Sequence, residues 1–200
     1  GDGLYINTSA LGIVETPNRP EPTALRPGDA ILLSGDIGRH GMAIMARREG
    51  LDFESPIESD TAALWPAVEA MIKAGIEIHC LRDLTRGGLA TAAIEIAEAA
   101  RLTLSLDQSR IPVGDRVQGP WGILGIDPLF VANEGRMLAI VPEDAVEAAL
   151  GILAAMTDGT GPARIGSVSE RRPGATLLRN PIGVERILDR LSGEQLPRIC

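Results

Sequence analysis

The chain ends Pro197-Arg198-Ile199-Cys200, which puts a thiol on the terminal residue. A structural cysteine sits inside an element and is packed from both sides. A terminal thiol has chain on one side only and gains reach, so that as a thiolate it can carry covalent cargo between sites. The competing reading is a frayed end with an incidental cysteine. The prenylation signal is not met, because it places its cysteine fourth from the end.

Three glycine-bearing stretches supply the other candidates. Asp83-Leu84-Thr85-Arg86-Gly87-Gly88-Leu89 lies between an expected strand and an expected helix. Gly87 and Gly88 let a backbone approach a ligand, and the helix start offers free N–H groups. Arg86 adds a guanidinium suited to phosphate oxygens. Asp83 either holds a water or Mg2+, or fixes the loop by accepting backbone N–H groups. The P-loop spacing and its lysine are lacking, so a plain strand-to-helix turn stands as the alternative.

In Ser34-Gly35-Asp36-Ile37-Gly38-Arg39-His40-Gly41, His40 is either an acid/base or phosphate contact, or a capping histidine at a helix start. In Asn133-Glu134-Gly135-Arg136, Glu134 beside Gly135 leaves a base room for substrate; the alternative is a solvated loop paired with Arg136. Cys80, beside His79 in an expected strand, faces the core. Two histidines and two cysteines far apart in sequence make no zinc pattern.

These loops need strands and helices to hold them. Leu4 through Val14 has strand character, and Glu15 to Pro27 is proline-rich and reads as a linker. Strands are expected at 30–34, 76–81, 102–106, 137–141, 164–168 and 175–178. Helices are expected at 40–49, 89–100 and 142–156, with a short last one at 187–191. Another is expected from an Asp60 N-cap, with Leu64, Val68, Met71 and Ile72 at helical spacing and Gly75 closing it. Mixed strands and helices at this spacing predict an α/β or α+β fold.

Composition narrows the function. With 27 acidic against 19 basic residues the net charge is −8, which argues against a general nucleic-acid or membrane-surface role. Aromatics make up 2% of the chain, so base-stacking platforms are not expected. No apolar run approaches the roughly 18 residues of a membrane span. Two cysteines are too few for a disulfide framework, and with no signal-peptide pattern a reducing cytoplasmic setting is expected. The chain opens Gly1-Asp2-Gly3 without Met, as if cut from something longer.

Taken together, the Ser-Gly-Asp-Ile-Gly-x-His-Gly loop, the Asp-x-Thr-Arg-Gly-Gly-Leu loop, the Asn-Glu-Gly-Arg step and the terminal Pro-Arg-Ile-Cys resemble the HypE family. Its members are carbamoyl dehydratases of nickel–iron hydrogenase maturation. The resemblance runs over essentially all 200 residues. The glycine loops alone fit the wider superfamily of aminoimidazole ribonucleotide synthetase, selenophosphate synthetase and thiamin-monophosphate kinase. The tail separates HypE from those relatives.

The resemblance implies the C-terminal domain of the aminoimidazole ribonucleotide synthetase-like fold, a mixed sheet with helices packed on one face. It implies a remnant of the N-terminal nucleotide-binding domain at 1–14, a linker at 15–27, the C-terminal domain at 28–192 and a mobile tail at 193–200. Cys200 would accept a carbamoyl group from HypF. ATP with Mg2+ would activate that group for dehydration to a thiocyanate, and the cyanide would pass to iron held by HypC–HypD. The resemblance makes Glu134 the leading candidate for the base, with Asp83 and His40 as its competitors. Asp83, Arg86, Gly87 and Gly88 would support nucleotide phosphates, with His40 as a further contact. It also implies a homodimer for the intact protein, and an incomplete ATP site in these 200 residues alone. Two other readings stay open: a non-catalytic carrier or docking module, and another phosphate-transfer enzyme of the superfamily.

Overall fold

Ala30-Ile31-Leu32-Leu33 is apolar at every position, which suits a strand buried on both faces. It forms β1 (Ala30–Leu33), whose four residues are all buried. The computed structural model describes residues 3, 6–9, 11–14, 16, 18–50, 56–156 and 161–191. Along the chain follow α1 (Arg39–Glu49), α2 (Trp65–Lys73), β2 (Cys80–Asp83), α3 (Gly88–Ala100), β3 (Thr103–Asp107), α4 (Asp115–Leu124), β4 (Met137–Val141), α5 (Val146–Met156), β5 (Ala163–Ser169), β6 (Thr176–Arg179) and β7 (Glu185–Leu188). The strands build one seven-stranded sheet in the order β2-β4-β1-β5-β3-β6-β7. Among the strands of the described residues only the β3–β6 pair is parallel, so the expected mixed sheet is present.

Alternation along the strands divides the core. Ile31 and Leu33 of β1, with Leu138 and Ile140 of β4, pack beneath α3 through Leu89, Ala93, Ile96 and Ala97. Ala30 and Leu32, with Met137, Ala139 and Val141, meet α2 and α5 through Ala67, Met71, Val146, Ala149 and Leu153. Helices therefore cover both faces around β1 and β4, which corrects the expectation of helices on one face. A smaller cluster of Met42, Met45, Val117, Trp121 and Val131 joins α1 to α4.

Several elements differ from the sequence expectation. Asp60 caps no helix: α2 starts at Trp65, with Pro66 in its first turn and Leu64 at the cap position. The strand expected at 76–81 forms at 80–83: Gly75 turns the chain (φ +73°), and His79 reaches β4 only through its N–H, on the Ile140 carbonyl at 2.9 Å, while its carbonyl accepts the Glu21 N–H. Helix α4 was not expected from a run holding Gly119, Pro120 and Gly122. It forms because Val117 and Trp121, one turn apart, are both buried. The last short helix is instead strand β7, which returns from β6 through Gly183 (φ +87°) with the Val184 N–H donating to Asn180 Oδ1 at 2.8 Å. Residues 6–9 and 11–14 form no strand, and Ile6, Leu11 and Ile13 are exposed. The tail expected at 193–200, with Cys200, lies outside the described residues.

The described part of the proline-rich segment is tied to the domain. Its short turn Pro22–Ala24 precedes Leu25, which is buried against α3. The Glu21 N–H donates to the His79 carbonyl at 2.9 Å. His79 Nδ1 lies 2.7 Å from Asp29 Oδ2, which also accepts the Arg26 N–H at 2.7 Å.

Two outcomes follow from this packing. Cys80 is 2% exposed, and burial pushes its thiol up to about 11 against a smaller opposing effect of Arg82. A neutral thiol is a poor nucleophile, so alkylation near neutral pH should leave Cys80 unmodified until the protein is unfolded. Peptide mapping that finds stoichiometric labelling of Cys80 in folded protein contradicts this. Gly88 opens α3 at φ +60°, and a Cβ there would stand 2.5 Å from the Val131 carbonyl oxygen and 2.7 Å from that of Leu129. Gly88→Ala should therefore cost about 2–4 kcal/mol, from left-handed backbone plus overpacking. A denaturant midpoint that does not move would refute it.

Candidate functional site

The register of β4 against its two neighbours gathers the candidate loops. Leu33, the last residue of β1, is paired with Leu138, and Asp83, the last of β2, is paired with Met137. The loop leaving β1, the loop leaving β2 and the loop entering β4 therefore sit side by side at one end of the sheet. These are the three glycine-bearing stretches singled out from the sequence.

Asn133 ties them together. It is fully buried, and its Oδ1 accepts the Gly38 N–H at 2.7 Å. Its own N–H donates to the Leu84 carbonyl at 2.9 Å, and its Nδ2 to that of Val131 at 2.9 Å. Arg136 makes the second tie. Its Nε donates to the Asp36 carbonyl at 2.9 Å and its guanidinium meets Asp36 Oδ1 at 2.8 Å, with both side chains almost fully buried. Arg39 Nε lies 2.8 Å from the other Asp36 oxygen. Thus Arg136 is not a solvated partner of Glu134 but a clamp on the Ser34–Gly38 loop. Trp121 backs that loop from α4, its Nε1 donating to the Gly38 carbonyl at 3.2 Å. A Cβ on Gly38 would stand 2.8 Å from the same nitrogen, so the close approach requires glycine.

Around this frame the expected residues take different positions. Glu134 is half-buried, and its N–H donates to Asp60 Oδ1 at 2.7 Å. His40 is the second residue of α1 and its Nδ1 lies 2.9 Å from Ser59 Oγ. Its N–H faces the other Asp60 oxygen at 3.4 Å, so Glu134 and His40 are brought to one carboxylate. Asp83 is engaged locally, accepting from Thr85 Oγ1 at 2.7 Å and meeting Arg82 NH1 at 2.9 Å. Arg86 is exposed beside Gly87 (φ +76°) and Gly88 (φ +60°) at the start of α3.

That last arrangement suits a phosphate. Two left-handed glycines precede a helix whose first turn has backbone N–H groups without intrahelical partners, and an exposed guanidinium stands beside it. A divalent cation is less well served. Among the described residues no group of three His, Cys, Asp or Glu could hold a metal ion, and both Asp83 oxygens already have partners. Sequence reasoning overlooked Asp36, Ser59 and the true place of Asp60. Each is buried or paired through partners far away in sequence, Asp36 to Arg136 and Asp60 to Glu134, and no local pattern reports such pairs.

Residues 26–177 match the model of the AIR synthase related protein family, C-terminal domain. Carbamoyl dehydratase HypE of Azotobacter vinelandii is 44% identical over 200 residues, covering 100% of this chain and 59% of that protein. The crystal structure of hydrogenase maturation protein HypE in complex with ATP superposes with a TM-score of 0.84 at 41% identity, covering 90% of this chain and 55% of the other. The HypE–HypF complex gives a TM-score of 0.79 at 36% identity, covering 85% of this chain and 55% of that one. The chain thus spans somewhat more than half the length of such relatives. Three of the four motifs behind this resemblance are the loops that converge on Asn133 and Arg136; the fourth, the tail at 197–200, lies outside the described residues. The chain belongs to the AIR synthase related family, matching its C-terminal domain, and resembles HypE over its whole length.

Proposed function

We propose that this chain is the C-terminal portion of a carbamoyl dehydratase that makes the cyanide ligand for hydrogenase iron. The observation that carries the reading is the convergence of the three motif loops on Asn133, with Glu134 half-buried at their edge and the Gly87–Gly88 turn adjoining. The whole-length resemblance to HypE supports it. The domain division follows: 1–14 as the end of a preceding nucleotide-binding domain, 15–27 as the connection, 28–192 as this domain and 193–200 as the tail bearing Cys200.

The chemistry asks for a carrier, a base and a phosphate site. The Cys200 thiolate would attack the carbonyl carbon of a carbamoyl adenylate presented by HypF and expel AMP, giving an S-bound amide. Transfer of the terminal phosphoryl group of ATP to the amide oxygen makes that oxygen a leaving group. Loss of two protons from nitrogen and of phosphate from carbon then leaves S–C≡N, with ADP and phosphate as the other products. Glu134 is assigned the proton removal. The room for substrate expected beside Gly135 is absent, because the Asp60 carbonyl and Ala62 fill that space; the Asp60 contact instead fixes the Glu134 backbone. Arg86, Gly87 and Gly88 are assigned to nucleotide phosphates and His40 to a further contact, while Asp83 holds the loop through Thr85. Mg2+ would accompany the nucleotide on ligands outside these residues, and no step is assigned to it. HypC–HypD as cyanide acceptor, a homodimeric intact protein and a cytoplasmic location complete the reading. Among the described residues no helix is long and apolar enough to cross a membrane.

A non-catalytic carrier is the second reading, and it suits the isolated chain because that chain spans 59% of the length of the carbamoyl dehydratase HypE it resembles. Calorimetry should find ATP binding at least about tenfold weaker for residues 1–200 than for the full-length protein. Equal affinity would overturn the incomplete-site reading.

Glu134→Gln keeps shape and hydrogen bonding but removes the base. In full-length protein it should slow thiocyanate formation by about 10²–10⁴-fold while ATP binding and carbamoylation persist. Mass spectrometry of Cys200 should show the carbamoyl adduct accumulating. A cyano adduct formed at the wild-type rate would remove Glu134 from the mechanism.

A further inference from the structure

Asp60 is 1% exposed, yet it lies in an irregular stretch ahead of α2 and caps no helix. A buried carboxylate is stable only where donors replace its water. Here one oxygen takes the Glu134 N–H at 2.7 Å and the other faces the His40 N–H at 3.4 Å. The two donors come from different loops of the site, one entering β4 and one opening α1. On one side of Asp60, Ser59 Oγ sits 2.9 Å from His40 Nδ1 and 2.7 Å from Thr61 Oγ1, while accepting the Thr61 N–H at 3.1 Å. Its own backbone presses on the base loop as well. A Cβ built on Gly135 would stand 1.9 Å from the Asp60 carbonyl oxygen and 2.6 Å from the Ala62 nitrogen. The stretch 59–62 therefore touches the Glu134 loop by side chain and by backbone, and the His40 ring by a hydroxyl.

We infer that Ser59-Asp60-Thr61 is a positioning strap, in which Asp60 sets the separation of Glu134 and His40 and Ser59 sets the orientation of the His40 ring. The inference deepens the reading of Glu134 as the base and rests on it. Asp60 touches no reacting atom; it acts through the two backbones it holds. A carboxylate is required because both of its oxygens must accept. An asparagine of the same shape offers one oxygen and turns an NH₂ group toward the other N–H.

The test uses full-length protein, single-turnover thiocyanate formation on Cys200, and hydrogen exchange read at individual amides. Asp60→Asn should speed exchange at the Glu134 and His40 amides, and any loss of ATP affinity through the displaced His40 should be smaller than the loss of dehydration rate. It should slow dehydration by about 10–100-fold, the loss expected when a catalytic group is displaced by about an ångström. Added to Glu134→Gln it should slow the reaction little further, because a strap acting through an absent base has nothing left to position. Full additivity of the two substitutions, or unchanged exchange at the Glu134 amide, overturns the inference. If Glu134→Gln itself reacts at the wild-type rate, the reading of the base fails, while the exchange result still decides whether the strap exists. Should Asp60→Asn not fold, Ser59→Ala and Ser59→Thr decide. The alanine should slow dehydration about three- to tenfold and the threonine, which keeps the hydroxyl, should restore it; identical rates for both overturn the assignment.

Discussion

The buried pair of Asp36 and Arg136 fixes how one end of the sheet is closed. The two are a hundred residues apart in sequence, yet their side chains are 3% and 2% exposed and 2.8 Å apart. Taking both charges out of water costs several kcal/mol per ion, so the pair holds only with further hydrogen bonds. The surroundings supply them. Arg136 also reaches the Asp36 and Gly135 carbonyls, and Arg39 meets the second Asp36 oxygen. Because Arg136 directly precedes β4, its position also carries the β4 register. The Ser34 N–H donates to the Met137 carbonyl, and the Met137 N–H donates back to Ser34 Oγ. The loop leaving β1 and the loop entering β4 thus cannot move independently.

The sheet is covered unequally on its two faces. Beneath α3 the sheet is apolar along most of its width. On the opposite face, α2 and α5 cover only the half built from β2, β4 and β1. Beyond β1 the register carries that face onto Ser167 of β5, Ser105 and Asp107 of β3, Arg179 of β6 and Glu185 of β7. These residues line an open groove of about 420 Å³, also bounded by Arg164 and Arg171. Each of its two carboxylates, Asp107 and Glu185, holds an arginine, while Arg164 pairs with Glu143 outside the groove. Arg171 grips Glu185 and holds that carboxyl below its usual range. Ser109, then Arg179, does the same for Asp107. A face of alternating serines and paired ions can meet water without a helix over it.

Much of this was legible in the sequence, and the boundary of legibility has a physical cause. β1, β4 and α3 are legible nearly to the residue because their apolar patterns are strong and their ends carry glycine or proline; the helix expected from 142 becomes α-helical only at Val146, after a 3-10 turn at Glu143–Ala145. The glycine loops were recognised as site elements because a backbone that must approach something leaves glycine behind, as Gly88 does against Val131. α4 was missed because Gly119 and Pro120 argue against a helix, while the burial of Trp121 that stabilises it is a tertiary fact. β7 was read as a helix because Ile187 and Leu191 are helically spaced; it is an edge strand set by the Gly183 turn. Asp60 was read as a helix cap because an aspartate ahead of an apolar periodic run looks like one. Its true partner, the Glu134 N–H, is 74 residues away.

The polar character of this end of the domain follows from backbone demand more than from charge. Buried ion pairs can often be exchanged for apolar residues of similar volume with little loss. That exchange is closed here. Three loops meet without forming strands, so the N–H groups of Gly38, Leu84 and Glu134 have no ladder and still require acceptors. Asn133, the Arg136 carbonyl and Asp60 supply those acceptors. An apolar substitution at Asn133 or Asp60 would leave such a donor buried and unpaired, at about 1–3 kcal/mol each. The groups that satisfy the backbone are therefore the same groups that hold Glu134, His40 and the Gly87–Gly88 turn in one arrangement. Folding of this end and ordering of the candidate site are a single requirement, met by one set of hydrogen bonds.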